Sequence, residues 1–223
     1  MFLGHYAVAF AAKRAVPVVS LGTLILAAQF SDGLWPLFLL AGLEHVEIAP
    51  GNTPFTPLAF VDYPLSHSLL LCAVWAVALG GAYYLVRRYR AGALVVAALV
   101  LSHWVLDAAS HRPDLPLYPG GGTLVGFGLW KSVPGTLAVE SAMFAAGLWL
   151  YLASTRARDR TGVVALWALV VVLVAAYLGA AFGPPPPNVT VLAYSGAIGW
   201  LTVAWGYWVD RHREPAGSLA TTG

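Results

Sequence analysis

The chain has 223 residues, of which 59% are hydrophobic and only 10% charged, and its formal net charge is +2. A soluble domain carries about a quarter charged residues, so this composition excludes one and points to an integral membrane protein. The single cysteine, Cys72, excludes an intramolecular disulfide and any Cys-x-x-Cys metal site.

In chain order, residues 2–12 are apolar but too short to span, since a helix of that length reaches only ~17 Å. They are expected to form a half-membrane or interfacial helix carrying His5. Lys13 and Arg14 follow this run instead of preceding it, so no cleavable signal peptide is expected. Six full spans are then predicted at about 17–43, 64–86, 92–109, 133–154, 162–182 and 189–209. The first is interrupted by Asp32 and Pro36. A polar, proline-containing loop over 44–63 and a second irregular loop over 110–131 separate spans, and loops of that length usually cover or build a site or are disordered. The prolines at 184–187 form a stiff connector. The expected fold is all-α, a polytopic helical bundle forming one transmembrane domain over 1–213, with a disordered polar tail over 214–223.

Ten of the twelve Lys and Arg residues fall on one side when the six spans are threaded alternately, leaving Arg112 and Lys131 on the other. The positive-inside rule makes the basic side, with the C-terminus, cytoplasmic, and puts loops 44–63 and 110–131 outside. Histidines 5, 45, 67, 103 and 111, together with Asp32, Asp107 and Glu140, then fall in the outer half of the membrane or beyond it. Residues distant in sequence are thus brought to similar depth.

The stretch Leu101 to His111 is the richest in chemistry. His103, Asp107 and His111 stand at i, i+4 and i+8, a drift of only ~40° per step, so they share one helix face. Imidazole and carboxylate groups are ligands for zinc, manganese or iron. The competing assignment has Asp107 capping a turn or pairing with Arg112 while His103 bonds a neighbouring helix. A lone aspartate such as Asp32 within an apolar span costs ~2.5–3.5 kcal/mol on insertion scales, so it should face a cation, a partner or water. His67, between two serines at a helix start, offers a third ligand or a wet interfacial residue. His5 is a weaker candidate of the same kind. Glu140 is open to three roles: a carboxylate behind the ligands, a general base, or the ion-pair partner of Lys131 or Arg112. His111 is a ligand or a substrate contact, and Glu44, His45, Glu47 and Asp62 are read as solvated loop residues.

Gly4-His5, Asp32 at the end of the second apolar stretch, His67-Ser68, and Leu101-Ser102-His103 followed by Asp107 come in an order that resembles the inner-membrane-associated metal-dependent hydrolases related to the LexA-regulated family of bacteria. The resemblance covers about residues 1–120. It implies a multi-helix protein of the bacterial cytoplasmic membrane whose His and Asp residues supply a metal centre, and a relationship to zinc-dependent phospholipases. The chain departs from the pattern twice: Ser31-Asp32-Gly33-Leu34 lacks a second acidic residue, and Val61-Asp62-Tyr63-Pro64 replaces an expected His-Arg pair. One metal rather than two is therefore expected.

Together these readings predict a metal-dependent hydrolase with its site on the extracytoplasmic side. His5, Asp32, His67, His103 and Asp107, or four of them, would hold one divalent cation, zinc, with Glu140 or a non-ligating aspartate as the catalytic base. The substrate would be a lipid phosphoester or another lipid-linked molecule drawn from the membrane, with no nucleic-acid partner. The alternative from another class is a non-catalytic membrane subunit using the same polar cluster for a structural ion or a partner. A transport path is disfavoured because the inner halves of the spans are nearly uncharged, whereas transport needs a route through both halves.

Overall fold

A computed structural model describes residues 1–217, and within it the chain is an all-α membrane bundle. Among the described residues five helices are long and apolar enough to cross a membrane, or six if a bent pair is taken as one span. In chain order the helices are α1 (Leu3–Ala12), α2 (Leu21–Ala28), α3 (Phe30–Leu40), α4 (Pro64–His67), α5 (Leu69–Arg87), α6 (Arg90–Ser110), α7 (Val133–Ser154), α8 (Arg160–Phe182), α9 (Val189–Ala197) and α10 (Trp200–Arg211). Their outward faces carry exposed Val77, Val86, Leu94, Val171 and Leu201, the surface a lipid-facing helix presents once its backbone bonds are satisfied internally.

Three features depart from the expected spans. The first span is not continuous: α2 and α3 meet at a 56° bend. The bend falls at Gln29, which leaves helical geometry, and not at Pro36, which α3 carries in its interior. The second span starts one turn later than expected, because α4 is a separate turn and Ser68 then caps α5 by accepting from Leu71 N at 3.2 Å. The last span is two helices, α9 and α10, in near-continuous register.

Of the two placements its length left open, α1 takes the one inside the bundle. Leu3, Gly4, His5, Tyr6, Ala7, Ala9 and Phe10 are all buried, so the helix is not an interfacial one. It lies against α7, where Gly147 makes the close approach: a Cβ there would sit 2.3 Å from Ala7 O. A similar small-residue crossing joins α2 to α10 through Gly22 and Gly206, as membrane helices use to bring backbones together.

The two long loops are structured. Residues 44–63 hold an antiparallel hairpin of β1 (His45–Ile48) and β2 (Leu58–Asp62). Residues 110–131 hold a two-residue ribbon, β3 (Leu115–Pro116) with β4 (Leu124–Val125), and a 3₁₀ turn at Leu129–Lys131. At the opposite end of the bundle, β5 (Thr155–Ala157) pairs with β6 (Arg213–Pro215). The expectation of a disordered tail from 214 onward is thus corrected for Glu214 and Pro215, which the ladder and the Arg156–Glu214 ion pair hold in place. Residues 218–223 lie outside the described residues.

Candidate metal centre

His5, Asp32, His67, His103 and Asp107, spread over four helices and 102 residues of sequence, meet inside one end of the bundle. The bend between α2 and α3 turns Asp32 toward α6, and α4 ends on His67. On α6 the i, i+4 spacing does put His103 and Asp107 together, with Nε2 to Oδ2 at 3.1 Å. His67 Nε2 stands 3.4 Å from Asp32 Oδ1 and 3.6 Å from Asp107 Oδ2, and His5 Nε2 lies 3.1 Å from Asp107 Oδ1. The His5 and His103 rings stack at 3.7 Å between centroids. Two sets of three have ligand atoms close enough to share an ion, His5–His103–Asp107 and Asp32–His67–His103, and His103 belongs to both.

The donor chemistry fits a cation. His103 Nδ1 donates to Ala28 O at 2.7 Å, and because a carbonyl only accepts, the neutral ring keeps its lone pair on Nε2. That Nε2 is buried beside Asp107 and Asp32 and has no hydrogen-bond partner among the described residues, and neither has His5 Nδ1. Buried polar atoms are nearly always paired, so an orphaned imidazole nitrogen facing carboxylates marks the place of a positive charge. No Lys or Arg side chain reaches either aspartate among the described residues; the Met1 amine, which donates to Asp107 Oδ1, is the one cationic group there besides the histidines.

Groups behind the cluster hold it in place. His67 Nδ1 is 2.6 Å from Ser66 Oγ, which is 2.6 Å from Glu44 Oε2; Glu44 Oε1 also accepts from Ser66 N at 2.8 Å. Glu44, read from sequence as a solvated loop residue, is therefore buried, and burial pushes its carboxyl above the ordinary value while the two bonds from Ser66 act in the opposite sense. His45, Glu47 and Asp62 are exposed on the hairpin, as solvated loop residues.

Glu140, expected as a catalytic base, has a different position. It is fully buried in α7, and its Oε2 accepts from Phe2 N at 2.8 Å and Gly4 N at 3.2 Å. It thereby satisfies amides at the start of α1, where a carboxylate also suits the helix dipole. The residue anchors the helix that presents His5 and does not line the adjoining cavity.

That cavity, of about 260 Å³, opens beside the cluster. Asp32, His67, Asp107 and His111 contribute its polar wall, and Phe55, Phe60, Trp130 and Trp200 much of its apolar one. Asp32 is the cluster's accessible member, its side chain 40% exposed against 4% or less for the others. His111 sits across the cavity on Asp114 (2.9 Å) and Tyr63 (3.3 Å) and under Trp130, so it is not in the ligand cluster. Arg112 pairs with Asp114 and not with Asp107. Burial lowers the His111 pKa, opposed by Asp114.

Fold and site thus define a helical membrane protein with a buried His/Asp cluster that could hold a metal ion. Comparison with protein-family models, with curated proteins and with solved structures finds no match to this chain.

Proposed function

We propose that the protein is a membrane-embedded, metal-dependent hydrolase whose site opens to the extracytoplasmic side of a bacterial cytoplasmic membrane. The observation that carries this reading is the buried, unpaired His103 Nε2 facing Asp32 and Asp107, two carboxylates that line an apolar cavity. A structural ion is normally enclosed by its ligands, whereas a catalytic one keeps an open position, and the cavity supports the second. Nitrogen and carboxylate donors favour zinc. The buried donors His5, His67, His103 and Asp107 would hold it. When bound there, such an ion would supply Lewis-acid polarisation of a phosphoryl or acyl oxygen and would lower the pKa of water to ~7.

The chain's own residues do the rest. Asp32, the accessible carboxylate, accepts the proton of the attacking water; Glu140 acts on His5 through α1 instead of on the substrate. Trp130, Trp200, Phe55 and Phe60 seat an apolar chain and exclude bulk water. An apolar cavity within a membrane bundle favours a lipid phosphoester or another lipid-linked substrate. The basic ends of the spans support the extracytoplasmic orientation, since Lys13, Arg87, Arg90, Arg156, Arg158, Arg160 and Arg213 all lie at the bundle end away from the cluster. The test is hydrolysis of a phospholipid panel by purified protein in nanodiscs, with and without chelator. Turnover that stops on chelation and in Asp32→Asn is expected; turnover that survives both would refute the reading.

A further inference from the structure

We infer that Ser66 and Glu44 form a relay that fixes the tautomer of His67, making them positioning residues for the ion-binding nitrogen. Every atom in the chain of contacts has one available part. Glu44, as a carboxylate, only accepts, and it takes both Ser66 N–H (2.8 Å) and Ser66 Oγ–H (2.6 Å). The single hydroxyl proton of Ser66 is then used, so Oγ is left to accept, and its neighbour at 2.6 Å is His67 Nδ1. Nδ1 therefore carries the ring proton, and in the neutral imidazole the lone pair lies on Nε2. Nε2 is the nitrogen turned to Asp32 and Asp107, at 3.4 and 3.6 Å, too long for good hydrogen bonds to either.

His103 reaches the same state by a different route, through Ala28 O. The two rings thus present bare Nε2 atoms to one point while their Nδ1 atoms are tied behind. Groups behind a ligand that set its tautomer and orientation are worth ~10–100-fold in metal affinity. All three residues are buried, and Glu44 arrives from the segment between α3 and β1, so the relay ties that loop to the cluster. A carboxylate–serine–histidine chain in which the serine passes on a bond is unlike a simple helix cap: a cap would be complete with the bond from Ser66 N alone.

The inference rests on the metal-binding reading for its affinity consequence but not for its tautomer. Two measurements therefore separate the two. In metal-free protein labelled with ¹⁵N-histidine, the His67 resonances should report a protonated Nδ1 and a bare Nε2, and in Ser66→Ala the ring should lose that fixed state. A protonated Nε2 in the wild-type protein, or an unchanged tautomer in Ser66→Ala, overturns the relay whether or not metal binds. Titration of wild-type protein with Zn²⁺ should give binding that weakens ~10–100-fold in Ser66→Ala and recovers to within about threefold in Ser66→Thr, which restores the hydroxyl. Equal affinity in all three also overturns it. Absence of Zn²⁺ binding by the wild type, with the Nδ1–H tautomer intact, would defeat the metal reading and leave the relay standing.

Discussion

The two ends of this bundle both bury charged groups, and they do so in opposite ways. At the basic end the two buried cations, Lys13 and Arg213, each meet several acceptors. Lys13 donates to Val19 O at 2.8 Å and to Asp210 at 3.1 Å, and Asp210 also accepts from Leu21 N. Arg213 donates to Thr155 Oγ1, Thr155 O and Gly162 O, and packs on Tyr151. At the other end Asp32 and Asp107 face imidazole nitrogens, the Met1 amine is the one further cation on Asp107, and His5 Nδ1 and His103 Nε2 have no partner among the described residues. A closed set of ion pairs holds helices together. The His/Asp cluster is instead a set of donors close enough to share an ion, and this difference separates a clamp from a candidate site.

Perturbing each end should therefore give distinct outcomes. The largest structural loss is expected from Lys13→Ala, which strips the partner from the half-buried Asp210 and should cost ~3–5 kcal/mol in unfolding measurements while the folded fraction keeps its metal. At the other end, Zn²⁺ should raise the stability of the wild type by about 2.7 kcal/mol at a hundredfold excess over Kd, and this gain should vanish in Asp107→Ala. A Zn²⁺ increment retained by Asp107→Ala would erase the contrast. Gly147→Ala links the ends: the added methyl meets Ala7 O, so α1 must shift, with ~1–3 kcal/mol of destabilisation and weaker metal binding through His5.

The smallest effect concerns Asp159 beyond the basic end of α8. Its carboxyl is held below the ordinary 3.8 by His212 and by the Gly162 amide. A depressed folded value means that its contribution is complete above the unfolded pKa and is lost as pH falls through the folded one. The difference in melting temperature between wild type and Asp159→Asn should therefore be small near neutral pH and shrink below about pH 4. A difference that grew on acidification would have the wrong sign.

Much of this contrast is legible in the sequence, because apolar runs with basic ends mark the spans and leave Asp32, His67, His103 and Asp107 at the ends away from the basic residues, where the fold brings them together. Helical spacing gave the His103–Asp107 pair directly. The missing parts depend on tertiary contacts that leave little local trace. Gln29 carries no breaker signal, whereas Pro36, which does, sits inside α3. Glu44 and Ser66 lie in polar surroundings where solvation is the default reading, and only folding puts Ser66 N–H over the carboxylate. Glu140 stands alone in an apolar span, and nothing in the local sequence signals the amides of Phe2 and Gly4 that occupy it. His111 shares the face of His103 by spacing, yet α6 ends at Ser110 and the chain turns His111 toward Asp114.

The central claim is that the buried His/Asp cluster binds a metal ion, and elemental analysis of purified protein tests it most directly. Wild-type protein should carry about one zinc per chain, lost in both His103→Ala and Asp107→Ala and retained in Lys13→Ala preparations that remain folded. Stoichiometric metal persisting in both cluster variants, or none in the wild type after purification with zinc, would contradict the account.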